Sequence, residues 1–311
     1  VSIFICPICQ SPLVPAADTW RCDGSLNPKN TCHPFDVARQ GYVNLLPVQQ
    51  KKSKAPGDSS DSILARKRFL AAGYYQPLQD LLCERIQSIL PQDGARKNKE
   101  SVTWLDIGCG EGYYTGAIAQ TKGIDRLIAA DISKPAVLEV AKASKASKAA
   151  KRLWLEADKP DDSKATIYPI VTSAAHLPLS NNSLMGISSI FSPILPTAFN
   201  DVLQQGGYVV IAKPDISHLA SVREALFDEV REHNSDKFLT ELAPFFDLLE
   251  THKVSTELSL SEQALADLLT MTPYAYRAQP DKRRALLAKA AAASFNTEAR
   301  FVVYILKKRP L

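Results

Sequence analysis

The chain has 311 residues, 45% of them apolar, with 37 basic against 33 acidic side chains and a net charge of +4. That length and apolar share exclude wholesale disorder and leave room for one α/β domain with one or two smaller units. No apolar run reaches the ~18–20 residues of a membrane span, and the opening Val1-Ser2-Ile3-Phe4-Ile5 breaks at once into a cysteine pair rather than a secretory signal, so a cytoplasmic protein is expected.

Four of the six cysteines fall within the first 32 residues. Cys6-Pro7-Ile8-Cys9 is a C-x-x-C knuckle, followed by Cys22 and by the adjacent pair Cys32-His33. A tight turn aims two thiolates at one point, and a second pair from across a hairpin completes a tetrahedron around zinc. A segment this small gains its folding free energy from the metal. Cys6, Cys9 and Cys22 are three ligands of that site; spacing leaves the fourth open between Cys32 and His33. Residues 48–62 are mostly polar and carry Pro56-Gly57-Asp58, a composition that predicts a mobile linker. Ile63 to Leu90 reads as helix, with Leu78, Leu81, Leu82, Ile86 and Leu90 on one stripe and a break marked by Gly73 and Pro77. Basic clusters such as Arg66-Lys67-Arg68 can touch phosphates, though for any single cluster a solvated helix face is the preferred reading.

From Val102 the chain alternates strand and helix. Strands are predicted at 102–106, 127–131, 166–171, 184–190 and 208–212, with Gly206-Gly207 as the turn before the last of these. A long helix is predicted from Leu219 to about His233, then a strand at 253–258, helices at 261–270 and 281–293, and a closing strand at 299–307. Lys142, Lys145, Lys148 and Lys151 recur every third residue and predict an exposed basic stripe. Such a βαβ series builds a parallel sheet that binds ligands at the carboxyl ends of its strands. The first strand runs into Asp106-Ile107-Gly108-Cys109-Gly110-Glu111-Gly112, and the second ends in Asp131. Glycines allow a tight strand-to-helix bend and close approach of a ligand. Asp131 stands where a carboxylate accepts ribose hydroxyls. The dinucleotide pattern G-x-G-x-x-G fails at its third glycine, which is Tyr113. The D-x-G-x-G-x-G pattern instead resembles motif I of class I S-adenosylmethionine (SAM)-dependent methyltransferases. The expected fold is therefore that class, a Rossmann-like seven-stranded α/β sheet, with a small N-terminal zinc-binding domain. Asp106, Gly108, Gly110, Glu111, Gly112 and Asp131 are its expected cofactor residues.

Further segments occur in order: His33-Pro34-Phe35-Asp36, Gly41-Tyr42-Val43-Asn44-Leu45-Leu46-Pro47, Pro56-Gly57-Asp58, Phe69 to Leu78 (FLAAGYYQPL), and Met271-Thr272-Pro273-Tyr274. With the C-x-x-C and the glycine motif, they make the chain resemble, over nearly its full length, the bacterial zinc-containing 23S rRNA (guanine-N1)-methyltransferases of the RlmA type. These modify a hairpin loop of the large-subunit RNA. The match from Gly41 to Leu78 looks closer to the Gram-negative, guanine-745 members than to the guanine-748 type. The resemblance implies His33 as fourth zinc ligand and Tyr75 and His218 beside the cofactor. It further implies Gly110 and Glu111 at the methionine end, and His176 on the adenine side. It also implies a zinc-binding RNA-recognition module at 1–40, a linker with helices packed on the cofactor domain at 41–95, a methyltransferase domain at 96–311, and a homodimer. An extra Cys32 and an insertion around 143–164 depart from the family pattern.

Guanine N1 carries a proton and is a poor nucleophile while it does, so a proton acceptor would help; Asp36, Glu111 and His218 are the candidates. N1 lies on the Watson–Crick edge, so the base must be extruded and stacked, for which Tyr113, Tyr114, Phe191 and Tyr274 are available. Two other functions fit parts of the sequence: a small-molecule methyltransferase with a structural zinc ribbon, and a non-catalytic RNA-binding protein.

Overall fold

The computed structural model describes residues 2–51, 53–91, 101–145, 165–228 and 237–310. The basic stripe at Lys148 and Lys151, most of the 143–164 insertion and the end of the predicted helix near His233 lie outside them.

Near the amino end, strands β1 (Leu13–Val14), β2 (Thr19–Cys22) and β3 (Pro34–Asp36) form a small antiparallel sheet. Strand β4 (Val43–Asn44) leaves it for the main sheet. Helix α1 (Ser60–Ala71) starts where the Ser59 hydroxyl accepts the Ser62 amide at 3.2 Å, a side-chain cap for an otherwise orphan N–H. Gly73 (φ +84°) ends it, and α2 (Gln76–Ile89) follows with Pro77 in its first turn. Its buried face is Leu78, Leu82 and Ile86, so the predicted stripe and break are both present.

The main sheet has eight strands in the order β10-β11-β9-β8-β5-β6-β7-β4. They are β5 (Thr103–Ile107), β6 (Arg126–Asp131), β7 (Thr166–Val171), β8 (Leu184–Ile190), β9 (Leu203–Pro214), β10 (Phe246–Leu260) and β11 (Phe295–Lys308), with β4 on the edge. Strands β4 to β9 pair in parallel; β11 pairs antiparallel with β9 and β10. Helices α3 (Tyr113–Ile118), α4 (Lys134–Lys145), α5 (Pro196–Val202), α6 (Ala220–Leu226), α7 (Lys237–Leu242), α8 (Glu262–Met271), α9 (Tyr274–Arg277) and α10 (Pro280–Ala292), with a short 3-10 turn at Val48–Gln50, complete the described elements. Chain order reverses at β5, with β6 on one side and β8 on the other, the kind of switch point at which open α/β sheets bind their ligands.

The structure corrects the sequence-based expectations in four places. The long helix expected from Leu219 to about His233 is only Ala220–Leu226, because Phe227 turns extended (φ −128°, ψ 139°). The expected seven-stranded sheet gains an eighth strand, β4, whose two residues are too few to show a period. Gly206-Gly207 is not a turn before a strand: β9 runs through it, with Gly206 at φ +72° and an irregular register against β8. The segment at 53–59 is a seated strap rather than a loose linker. A Cβ on Gly57 (φ +84°) would come within 2.8 Å of Ser133 Cβ, and the Ser133 hydroxyl donates to the Asp58 carbonyl at 2.8 Å.

The zinc module is not a separate bead. Phe4, Cys6, Leu13, Trp20 and Cys22 share one core with Leu105, Ile107, Ile128 and Tyr168 of the main sheet. Phe4 packs its ring on Trp20 (4.7 Å between centroids) and Tyr168 (5.6 Å). The backbones also join: the Ile5 amide donates to the Pro178 carbonyl at 3.0 Å, and the Ser180 amide to the Ile3 carbonyl at 2.8 Å.

Candidate functional site

The amino-terminal knuckle brings four donors together. Sγ of Cys6, Cys9 and Cys22 and a ring nitrogen of His33 all lie within 4.8 Å of one another. His33 Nδ1 is 3.6 Å from both Cys6 Sγ and Cys22 Sγ, and Cys9 Sγ is 3.8 Å from Cys22 Sγ. A tetrahedron with Zn–S of ~2.3 Å and Zn–N of ~2.0–2.1 Å has edges of roughly 3.5–3.8 Å, so the soft donor set fits zinc in both chemistry and spacing. The His33 amide donates to Cys22 Sγ at 3.0 Å, and the His33 carbonyl accepts from the Cys22 amide at 3.2 Å. This pairing turns His33 inward, while its neighbour Cys32 is exposed and outside the cluster; adjacent residues of extended chain point to opposite sides. Asp36 lies on β3, exposed, and accepts from the Thr19 hydroxyl at 2.9 Å.

The glycine loop follows β5. Gly108, Gly110 and Gly112 have φ of +70°, +55° and +96°, a backbone that side-chain-bearing residues adopt at a cost. Two of the three are also required by packing: a Cβ on Gly108 would overlap Ser192 Cβ, and one on Gly112 would press Val140 at 3.0 Å. Only Gly110 turns its open side to a charged group, Arg66 Nη1, 3.4 Å from where its Cβ would stand.

Asp106, 2% exposed, turns its carboxylate into the fold. It accepts from the Thr115 hydroxyl at 2.6 Å and the Ser188 hydroxyl at 2.9 Å, tying β5 to α3 and β8. Burial raises its pKa to about 6, with the two hydroxyls pulling the other way. Asp131 accepts the Gly110 amide at 3.0 Å and the Ser133 amide at 2.7 Å, one on each oxygen; burial raises its pKa, and those amides offset part of the rise. Each oxygen keeps a further lone pair. Glu111 is 7% exposed, and its Oε2 has no partner among the described residues. Burial raises its pKa too, against the pull of its own amide and of Arg66. The Tyr114 hydroxyl beside it is likewise buried and unpaired. Two orphaned polar atoms at a side-chain-free bend fit a polar ligand carrying a cation.

Tyr75 and His218 meet in a buried ring cluster. Tyr75 stands edge-on to Phe69 (5.2 Å), Phe301 (4.7 Å) and His218 (6.3 Å). His218 Nδ1 lies 3.0 Å from the Arg300 amide and 2.9 Å from its carbonyl. Burial lowers the His218 pKa to about 4, with the Arg300 backbone opposing it, so the ring is neutral near pH 7. His176 is exposed in the turn after β7, its amide donating to the Ser173 carbonyl at 3.1 Å. The structure thus gathers Tyr75, the glycine loop, Glu111 and Asp131 at the switch point, and leaves Asp36 on the zinc module. Arg66, Thr115, Ser188 and Ser192 were missed from sequence. Arg66 lay within a basic cluster that the sequence left between a phosphate contact and, by preference, a solvated helix face, and the three hydroxyl residues carried no pattern of their own.

A sequence profile for the zinc-ribbon N-terminal region of RlmA matches residues 4–54. The 23S rRNA (guanine(748)-N(1))-methyltransferase of Streptomyces fradiae is 29% identical, covering 89% of this chain and 87% of its own. The YxjB protein of Bacillus subtilis, provisionally named a 23S rRNA (guanine-N1)-methyltransferase, is 31% identical over 90% of this chain and 89% of its own. Among solved structures, the YcgJ protein of Bacillus subtilis overlaps 75% of this chain and 100% of its own at a TM-score of 0.48 and 13% identity. With its class I α/β sheet, a zinc ribbon built on three cysteines and a histidine, and these relatives, the chain belongs to the RlmA-type family of SAM-dependent 23S rRNA (guanine-N1)-methyltransferases.

Proposed function

We propose that this enzyme methylates N1 of an extruded guanine in a hairpin loop of 23S rRNA, at the 745-type rather than the 748-type position, in the cytoplasm. The observation that carries the site assignment is the buried Glu111 Oε2, without a hydrogen-bond partner among the described residues, beside the positive-φ glycine loop. S-adenosylmethionine, when bound, supplies a sulfonium methyl that is already a strong electrophile. The protein's work is then binding and alignment, since a well-aligned acceptor must lie ~3–3.5 Å from the reacting atom.

In this reading Glu111 answers the ammonium of the amino-acid tail, and Asp131 accepts ribose hydroxyls with its remaining lone pairs. Gly108, Gly110 and Gly112 shape the bend, and Asp106 holds that bend through Thr115 and Ser188. Tyr75 and His218 form the packed wall beneath, and His176 borders the adenine side. His218 is a positioning residue: an imidazole whose conjugate acid has a pKa of about 4 is too weak a base for a guanine N1 proton. Cys6, Cys9, Cys22 and His33 hold the zinc that orders the RNA-facing module (1–40), and 41–95 links it to the methyltransferase domain (96–311).

Phe191 is the proposed stacking platform. It is 42% exposed, has φ +55° and follows β8 at the carboxyl edge. It is held by its amide N–H, which donates to the Ala212 carbonyl at 3.0 Å, and by the next residue, Ser192, whose hydroxyl donates to the Ile107 carbonyl at 2.8 Å. A strained, exposed aromatic held on both sides is the kind of feature retained for function. Family membership disfavours the small-molecule and non-catalytic alternatives. The homodimer implied by the resemblance is checked by light scattering.

The deciding experiment is methylation of unmodified 23S rRNA fragments with radiolabelled cofactor, followed by mass mapping. The expected product is a single N1-methylguanine at the 745-type position. Label at the 748-type position removes the positional assignment, and label on no guanine removes the reaction.

A further inference from the structure

Arg66, Lys67 and Arg68 are consecutive on α1, so their side chains leave the helix in three directions. Lys67 reaches Glu139 of α4 at 2.6 Å, and Arg68 forks onto Asp267 of α8 at 2.5 and 3.0 Å. Arg66 alone of the three faces the glycine loop. Its Nη2 is held by Asp58 Oδ2 at 2.5 Å and by the Met271 carbonyl at 3.4 Å. That leaves Nη1 directed at the open side of Gly110, where a Cβ would lie 3.4 Å away. The same guanidinium is the cation that pulls on Glu111, Asp131 and Tyr114.

The loop is otherwise acidic: Asp106, Glu111 and Asp131 all converge on it, and burial raises the pKa of each. Such a place suits an ammonium but repels a carboxylate. The amino-acid tail of S-adenosylmethionine carries both, so a site that takes the whole tail needs one cation among its acids. We propose that Arg66 is the residue that binds the carboxylate of the cofactor's amino-acid tail, with Asp58 and Met271 fixing one edge of its fork and Gly110 leaving the other open. This rests on the cofactor placement proposed above. It also gives the Pro56-Gly57-Asp58 strap a purpose, because Gly57 seats the strap on Ser133 and Asp58 sets the guanidinium. A planar fork that matches a carboxylate explains an arginine rather than a lysine there.

The test is calorimetric titration of the full chain with S-adenosylmethionine and with its decarboxylated form, which lacks only the carboxylate. A charge-assisted hydrogen bond of this kind is worth roughly ten- to a hundredfold in affinity. Wild-type protein is expected to bind the decarboxylated form weaker by about that factor. Arg66→Met should weaken S-adenosylmethionine by a similar factor and leave the decarboxylated form bound no more weakly than by wild type. Arg66→Lys should fall between. The proposal is overturned if wild type binds both ligands alike, if Arg66→Met binds S-adenosylmethionine as wild type does, or if the variant weakens both equally. Should Arg66→Met fail to fold, Arg66→Lys titrated with the same two ligands decides: an unchanged preference for S-adenosylmethionine over its decarboxylated form overturns the proposal. Wild type that binds neither ligand removes the cofactor placement itself, a result distinct from all of these.

Discussion

Burying a carboxylate is costly unless it is paired and hydrogen-bonded; Arg66 pulls on the Glu111 charge, but Oε2 accepts no hydrogen bond among the described residues. The proposed cofactor ammonium supplies one. Glu111→Gln should therefore weaken S-adenosylmethionine binding about tenfold or more, measured by calorimetry, while raising the melting temperature of the cofactor-free protein, because the variant buries no charge. A variant that binds normally and melts no higher would show that Glu111 is neither ligand nor strain. Asp106 and His218 give opposite pH signatures. Asp106 titrates near pH 6 in the fold against an ordinary 3.8, so its contribution is fully present below pH 3.8 and is lost as pH rises through 6, by about 3 kcal/mol. His218 titrates near pH 4 against an ordinary 6.5, so its contribution is present above 6.5 and is lost as pH falls toward 4. Urea unfolding of Asp106→Asn and His218→Gln across pH 4–7 should flatten opposite slopes of the wild-type profile.

At the scale of elements, the site depends on where backbones touch. Gly57 and Gly73 share φ +84°, yet a Cβ on Gly57 meets Ser133 at 2.8–2.9 Å and one on Gly73 meets nothing within 4 Å. Both alanine variants carry left-handed strain, but only Gly57→Ala also lifts the strap from α4. Denaturant unfolding should find Gly57→Ala about 1–3 kcal/mol less stable than Gly73→Ala. Phe191 is a test on the turn after β8. If it stacks the extruded base, Phe191→Ala loses about 1–3 kcal/mol of base binding. Methylation of RNA then slows about ten- to a hundredfold at subsaturating RNA, while cofactor affinity stays unchanged. Loss of cofactor affinity instead would mean that the ring only packs.

Across the whole molecule, the zinc ribbon and the methyltransferase sheet share one core through Phe4, Trp20 and Tyr168. Removing residues 1–40 would uncover part of that core, so a truncation would mix lost RNA recognition with lost folding. Metal removal separates them better. Stripping zinc with a strong chelator should lower the melting temperature of the entire chain in a single calorimetric transition. An unchanged main transition with a small early one would mean that the ribbon folds independently. The sequence by itself determined the zinc donors Cys6, Cys9 and Cys22, the break at Gly73, the parallel strands and the glycine bend, because each rests on residues close in the chain, where spacing and periodicity carry the information. Tertiary structure decided the rest. It brought His33, which the family resemblance had implied, into the cysteine cluster, added β4 to the sheet, turned Asp106 inward, seated the Gly57 strap and aimed Arg66 at Gly110. Each of these depends on which distant backbone lies within a few ångströms, a relation that no local pattern encodes.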